Sequence, residues 1–341
     1  MAKRIAWNRI TDEQLLNLRF RDLPLELEGT PVARRVKHLY SEMEMRGIRC
    51  RPHVWLSEEF FTPDGVPGFA IPFYLAHPRL MKLERRQMLE VEGGTDRWCM
   101  RILRHEAGHA LDNAYRLHFK RSWQDTFGSF ARPYPQAYKP KPKSRNYVLH
   151  LDAWYAQAHP AEDYAETFAV WLPAGGRWRT RYKGWPALRK IEYMDRLMKE
   201  ISRTRPKNRV RTKVDSLSQI NITLREHYRR KRELYSLEFS GSYDRDLRRI
   251  FSEESRYASR PTATAFLRRY RPELRQIVAD GTGVHRYTVD HVLKNIIERA
   301  RELKLHVSVP ERLTKRQAMI MLTVHTMNIV HSGYYRFQYG L

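Results

Sequence analysis

The feature that most constrains this chain is the pentapeptide His105-Glu106-Ala107-Gly108-His109. Two histidines four positions apart on a helix lie on the same face, one turn apart, so both imidazoles can reach one metal ion. Glu106 lies beside them, where its carboxylate can accept a proton from a water on that metal. A short motif can arise by chance in a chain with 14 histidines, so the surrounding residues must supply further support.

The residues around this motif predict the helix that such a site needs. Gly93-Gly94-Thr95-Asp96 provides a suitable start, and apolar residues recur after it at helical spacing: Trp98, Ile102, Leu103, Ala107, Ala110, Leu111 and Ala114. The alternative is a buried helix with two ordinary core histidines. Placing Arg104, Glu106 and the histidines near a core without a partner would be costly, so the metal site is favoured. A helical H-E-x-x-H motif is the pattern of zinc hydrolases.

Length and cysteine content limit the remaining possibilities. A chain of 341 residues can form one large domain or two. It contains no apolar run long enough to span a membrane, and the basic residues 1–9 are not followed by the apolar segment of a secretory signal. Cys50 and Cys99 are the only cysteines, which excludes a disulfide framework or a cysteine-based zinc site. We therefore expect a cytoplasmic protein in which both are small buried hydrophobes.

The charge is distributed unevenly along the chain. Residues 177–341 carry 37 Lys and Arg against 17 Asp and Glu, whereas residues 1–176 carry 26 against 21. The change follows Pro173-Ala174-Gly175-Gly176, a cluster of residues that break regular structure. We therefore predict a first domain over 1–176 and a basic, mainly α-helical accessory domain of unknown role over 177–341.

Hydrophobic periodicity gives a coarse order of elements. It predicts a helix over 31–46, a strand over 53–56, a turn over 62–65 and an edge strand over 69–75, where Pro72 excludes a central position. An extended peptide could add to such an edge. The proline-rich residues 132–143 form a long loop that either borders a substrate cleft or is a solvated excursion. The second half predicts helices over 185–201, 218–238, 262–278, 287–304 and 313–331.

A catalytic zinc ion needs a third protein ligand. The spacing excludes the metzincin class, because Asp112 and Tyr115 stand where that class has glycine and histidine. Asp112 is a weak candidate, and His118, His150 and His159 have no supporting pattern. The best candidate is Glu162, on a helix that begins at Pro160 and ends before Pro173, with Glu166 one turn further. The alternative for these two carboxylates is a solvated acidic face.

The segments 103–109 and 159–169 together resemble the gluzincin group of zinc metallopeptidases, and they are most similar to the bacterial family described as putative zinc-binding metallopeptidases. The resemblance covers about residues 1–176 and is strongest over 98–173. It implies that Glu162 completes the zinc site, that Glu166 supports it, and that Tyr155 stabilises the oxyanion, with Tyr147 and Tyr164 nearby. The implied fold class is α+β: a zincin-like domain with a small sheet and an edge strand, an active-site helix and a second glutamate-bearing helix.

These inferences predict a zinc-dependent metallopeptidase that hydrolyses peptide bonds through a zinc-activated water, with Glu106 as general base and His105, His109 and Glu162 as ligands. Its partner is a peptide or protein substrate, and no membrane partner is expected. A non-catalytic zinc-binding scaffold is the less favoured alternative, because such a protein has no need for Glu106.

A second alternative is a nucleic-acid-associated protease. In it, residues 177–341 bind DNA, RNA or another polyanion through clusters such as 229–232 and 268–271. The competing interpretation of the same clusters is that their arginines pair locally with acids or face water.

Overall fold

The computed structural model describes residues 7–135, 138–173, 175–236 and 243–331. These residues form two compact units: one from the described residues up to 86 and from 91 to 227, the other from 87–90 and the described residues from 228 onward. Both units are mainly helical, and each contains a small two-stranded sheet. This mixture agrees with the predicted α+β class.

The first unit is built from helices α1 to α8, the beginning of α9, and strands β1 and β2. Its helices are α1 (Asp12–Leu16), α2 (Pro31–Met45), α3 (Pro78–Met88), α4 (Asp96–Tyr115), α5 (Arg121–Phe127), α6 (Pro160–Trp171), α7 (Trp178–Arg181) and α8 (Ala187–Ile201). The predicted helix over 31–46 is confirmed, with Thr30 accepting a hydrogen bond from the Ala33 amide. In α6 the first-turn Pro160 follows the cap His159.

Strands β1 (His53–Ser57) and β2 (Gly68–Pro72) pair in parallel, with Val54 opposite Phe69. Sequence analysis predicted β2 as an edge strand that an extended substrate could join. All five of its residues are buried, and the Ala70 amide donates to the Phe61 carbonyl at 2.8 Å. The side of β2 that faces away from β1 is therefore already occupied at Ala70, and substrate addition to this strand is not supported.

Helices α4 and α6 pack closely, and Gly108 lies at the point of contact. A Cβ atom at this position would lie 3.0 Å from the Ala165 Cα and 3.3 Å from the Phe168 side chain. Because the nearest of these atoms is backbone, any larger residue would push the helices apart. The glycine inside the histidine motif thus sets the distance between the two helices.

Charged groups hold α6 at both ends. At its C-terminal end the Arg46 guanidinium donates to the carbonyls of Trp171, Leu172 and Pro173 at 2.8–2.9 Å. In its first turn, buried Asp163 pairs with Lys190 of α8 at 2.5 Å. Burial raises the pKa of Asp163 to about 7, although Lys190 opposes this shift. Helix α8 is therefore part of the packing around α6.

The second unit contains the remaining elements. They are most of α9 (Leu224–Tyr235), then α10 (Asp244–Ile250), β3 (Phe251–Ser252), α11 (Ala263–Thr282), α12 (Arg286–Glu302), β4 (His306–Val307) and α13 (Glu311–His331). The five predicted helices are found, the one over 218–238 being shorter, and the antiparallel pair β3–β4 was not predicted. No helix in the described part of the chain is long and apolar enough to cross a membrane.

The structure divides the chain at a different place from the sequence. The first structural unit gives way to the second after His227, whereas the excess of basic residues begins after Gly176. Residues 177–227, which their charge assigned to the accessory part, lie in the same unit as α4 and α6. The division into a first domain over 1–176 and an accessory domain over 177–341 stays a prediction.

We expect Gly108→Ala to lower the free energy of unfolding by about 1–3 kcal/mol, because the added methyl meets the α6 backbone. Urea denaturation measures this change. Gly281→Ala in α11 is the matched control, since a Cβ there has no neighbour within 4 Å. The control should be neutral or gain about 0.5–1 kcal/mol from its better helix propensity. Equal stabilities of Gly108→Ala and wild type would contradict the close packing.

Candidate metal centre

Three side chains from α4 and α6 meet at one point. The Nε2 atoms of His105 and His109 lie 3.1 Å apart, and Glu162 Oε2 lies 3.0 Å from the first and 3.3 Å from the second. The His105 and Glu162 side chains are almost fully buried, whereas the His109 side chain is 18% exposed. The cluster therefore opens to solvent on the side of His109.

The chemistry of these atoms fits a metal ion. His105 Nδ1 lies 2.9 Å from Glu166 Oε1, a contact that places the ring proton on Nδ1 and leaves Nε2 as an acceptor. When His105 is neutral, two imidazole nitrogens and a carboxylate oxygen face one another, an arrangement that either a shared proton or a metal cation stabilises. Bonds of about 2.0–2.1 Å to a tetrahedral zinc ion separate its ligand atoms by about 3.3 Å, close to the spacing of these three atoms.

The electrostatics of the cluster lead to the same conclusion. Burial alone would lower the pKa of His105, but its hydrogen bonds to Glu162 and Glu166 raise it to about 10. Burial would raise the pKa of Glu162, but His109 and His105 lower it well below its usual range. Carboxylates that stabilise a proton on His105 also stabilise a metal cation in its place. Metal binding would therefore release a proton and weaken as the pH falls.

Glu166 orients His105 through a relay of hydrogen bonds. Its Oε1 contacts His105 Nδ1, and its Oε2 accepts the Leu151 amide at 2.8 Å. The Glu166 side chain is fully buried, so neither contact competes freely with water. Both carboxylate oxygens are thus fixed, which fixes the ring of His105 in turn.

Glu106 is held by a residue that sequence analysis did not identify. The Thr62 hydroxyl donates to Glu106 Oε2 at 2.8 Å. Thr62 begins the predicted turn over 62–65, and Asn113 of α4 fixes that turn by donating to the carbonyls of Pro63 and Val66 at 3.0 and 2.9 Å. The turn was visible in the sequence, but no local pattern connected Thr62 with Glu106, which lies 44 residues later.

Two tyrosines lie at the site. Tyr155 is buried, with its ring centroid 5.6 Å from that of His105. Burial and then the charge of Glu162 raise its pKa well above the usual value, so its hydroxyl keeps its proton. Tyr134, which sequence analysis did not single out, donates to Glu162 Oε1 at 2.9 Å. Its ring stacks on His159 at a centroid distance of 3.8 Å. The proline-rich loop therefore does border the site.

The other tyrosines near this part of the chain have other environments. Tyr164 packs against Trp123 and Phe127, and Tyr147 lies beneath the Lys190 ammonium.

The other candidate ligands have structural contacts elsewhere. Asp112 Oδ1 accepts the His118 amide at 2.8 Å, and Asp112 Oδ2 lies 3.1 Å from His118 Nδ1. The His150 ring donates through Nε2 to the Arg101 carbonyl. His159 caps α6 by accepting the Ala161 amide, and its Nε2 donates to the Arg132 carbonyl at 2.6 Å. None of these four is in the three-residue cluster of His105, His109 and Glu162.

Two histidines from one helix and a glutamate from a second form a cluster that could hold a metal ion with the His₂Glu ligand set. Residues 81–229 match the model of the family described as "Putative zinc-binding metallo-peptidase". The predicted resemblance to this family is thereby confirmed for this region, and the family description agrees with zinc as the cofactor. No curated protein and no solved structure matched the chain.

The matched region differs in extent from the predicted one. The resemblance was placed over residues 1–176 and was not expected to reach the basic half, yet the match begins at residue 81 and continues to residue 229. Charge composition separated residues 177–229 from the metal site, whereas the family match includes them with it.

We expect Glu162→Ala to lose stoichiometric zinc, because only two of the three converging atoms remain. Elemental analysis of the dialysed protein measures the loss. Asp112→Asn serves as the control: it removes a buried carboxylate of the same α4–α6 region but keeps an oxygen for the His118 amide, so its zinc content should match that of wild type. Full zinc in Glu162→Ala together with loss in Asp112→Asn would show that the third ligand is misassigned.

Proposed function

We propose that this chain is a zinc-dependent metallopeptidase in which His105, His109 and Glu162 hold the metal and Glu106 is the general base. The observation that carries the proposal is the convergence of three ligand atoms within 3.3 Å of one another, with the next residue after His105 presenting a hydrogen-bonded carboxylate. The family match over residues 81–229 supports the same class. In this proposal α4, α6 and the β1–β2 sheet are parts of a zincin-like domain.

The metal and the chain have separate tasks in this mechanism. When bound, zinc supplies Lewis-acid chemistry, which lowers the pKa of a water molecule and polarises a carbonyl group. Glu106 accepts the proton of the attacking water and passes it to the leaving amine. Thr62 directs one oxygen of Glu106 through its hydrogen bond and leaves the second oxygen for that proton. Glu166 keeps the His105 ring in its orientation throughout.

The tyrosines have different tasks in the proposal. Tyr155 donates a hydrogen bond to the oxyanion, since burial keeps its hydroxyl protonated and its ring lies against His105. Tyr134 has its hydroxyl engaged with Glu162 Oε1, and the residue is 37% exposed. Its proposed task is to hold Glu162 and to form part of the entrance for a peptide substrate.

The alternatives receive less support from the contacts. A non-catalytic scaffold gives no reason for the hydrogen bond that orients Glu106. Binding of a nucleic acid through residues 177–341 stays a prediction. Within its named clusters Arg229 pairs with Glu233 at 2.7 Å, and Arg271 forms two hydrogen bonds with Asp290. Such local pairing favours the interpretation of these residues as a solvated helical surface.

We expect Glu106→Gln to retain stoichiometric zinc and to lower kcat by about a hundredfold to ten-thousandfold, since an amide cannot accept the proton. Hydrolysis of fluorescently labelled casein and zinc content are measured on the same sample. Glu166→Gln is the comparison: it should weaken zinc affinity by about 10–100-fold, and excess zinc should restore its activity. Wild-type turnover by Glu106→Gln would remove Glu106 from the mechanism.

We expect Tyr155→Phe to lower kcat by about a hundredfold with little change in KM, because the lost hydrogen bond forms only as the oxyanion develops. Tyr134→Phe should act mainly on KM. Steady-state kinetics on one casein-derived peptide separates the two variants. The reverse pattern, in which only Tyr134→Phe loses kcat, would assign the oxyanion to Tyr134.

A further inference from the structure

A basic cavity of about 1080 Å³ lies in the first unit, and the proposed zinc ligands and Glu106 are not among its lining residues. Its walls come from the N-terminal halves of α2 and α4, the C-terminal end of α6, α7, and residues 149–150. Seven arginines line it: Arg34, Arg35, Arg97, Arg101, Arg104, Arg177 and Arg181. Most of them come from the part of the chain before residue 177, which the overall charge did not mark as strongly basic.

Three of these arginines are neutralised by acids. Arg35 pairs with Asp96 at 2.7 Å, and Arg101 pairs with Asp152 at 3.3 Å. Arg104 forms two hydrogen bonds with the Glu42 carboxylate at 2.7 and 2.8 Å. The side chains of these three arginines are only 14–28% exposed, so they belong to the wall of the cavity.

The remaining four arginines form an exposed rim. Among the residues that the structure describes, the side chains of Arg34, Arg97 and Arg177 have neither a hydrogen bond nor an ion pair. Arg181 donates to the Leu149 carbonyl at 3.4 Å and lies over the Tyr182 ring, contacts that leave its charge uncompensated. Four cations around one concave surface repel one another, and an anion bound between them would remove that repulsion.

The helix ends strengthen the positive potential. Pro31 and Asp96, the first residues of α2 and α4, both line the cavity, so the positive ends of two long helices point towards it. The C-terminal end of α6 also reaches the wall, but Arg46 already donates to its last carbonyls. The positive charge of Arg46 thus offsets the negative end of the α6 dipole, which would otherwise oppose the binding of an anion.

The lining also indicates which anion fits. Guanidinium groups bind phosphate oxygens in pairs, and a phosphate group carries more charge in less space than a peptide carboxylate. The lining that the structure describes contains three aromatic rings. The Trp178 indole is buried beneath the Arg179 guanidinium at 3.9 Å, His150 Nε2 donates to the Arg101 carbonyl, and the exposed His38 imidazole lies 3.8 Å from Glu42. One exposed imidazole is not the series of aromatic platforms on which successive bases of a single strand stack. The excess of guanidinium groups therefore favours phosphate groups as the feature that is recognised.

We propose that this cavity binds a chain of phosphate groups, either as inorganic triphosphate or as the triphosphate of a nucleotide. The three paired arginines belong to the wall, and the rim of Arg34, Arg97, Arg177 and Arg181 supplies the binding charge. This site does not depend on the proposed peptidase activity.

Isothermal titration of the full chain with inorganic triphosphate tests the proposal. Titrations are run on the zinc-loaded protein and again with EDTA, so that a bound metal cannot be the phosphate site. We expect the double substitution Arg97→Gln and Arg177→Gln to weaken binding at least about tenfold, as loss of charged hydrogen bonds implies. Arg189→Gln with Arg196→Gln on the exposed face of α8 is the charge-matched control and should bind as wild type does.

Further titrations with other ligands distinguish inorganic triphosphate from a nucleotide and from other polyanions. Equal affinities for inorganic triphosphate and adenosine triphosphate would show that the phosphate chain alone is recognised, and markedly tighter binding of adenosine triphosphate would identify a nucleotide as its source. Failure of the wild-type protein to bind either compound would overturn the proposal. Tighter binding of a single-stranded oligonucleotide or of polyglutamate than of triphosphate would overturn the assignment of the ligand. Equal loss in the cavity and control variants, or binding that disappears with EDTA, would overturn the assignment of the site. Unfolding temperatures are compared first, and the exposed rim positions should leave them unchanged.

Discussion

The close packing of α4 against α6 is the contact on which the rest of the site depends. His105 and His109 share one face of α4 by helical geometry alone, but they offer a metal only two ligand atoms. Gly108 lets the backbone of α6 approach to the distance at which Glu162 reaches both rings. Arg46, Lys190 and Asp163 then hold α6 in that position through contacts at its two ends. Many separate segments thus cooperate to place one carboxylate oxygen.

The site is also an electrostatic compromise. Two buried carboxylates and two imidazoles occupy a region where an isolated charge would be unfavourable. They are tolerated because each is paired: Glu166 with His105 and the Leu151 amide, and Glu162 with both histidines and Tyr134. The same pairing raises the affinity of the cluster for a cation. The hydrogen bonds that stabilise these buried polar groups in the fold are therefore the same ones that favour a cation in the cluster.

The arginines illustrate why net charge is a poor guide to function. The more basic half of the sequence contains arginines that are paired, such as Arg271 and Arg275 with Asp290 and Arg299 with Asp244. The more nearly neutral half supplies most of a cavity whose rim arginines have no acidic partner in the part of the chain that the structure describes. What matters for an anion is the local excess of charge on a concave surface, and this excess is invisible in a count along the chain.

The sequence by itself determined the local features: the helix that carries the histidine motif, the cap and proline at the start of α6, and the identity of Glu162 as the best third ligand candidate. These depend on spacing over a few residues, where helical geometry permits few outcomes. Only the tertiary structure decided that Thr62 contacts Glu106, that Tyr134 contacts Glu162, that β2 is covered at Ala70, and that the change of unit follows His227. Each of these joins segments far apart in the chain, and such pairings are set by packing of the whole unit, which no local pattern records.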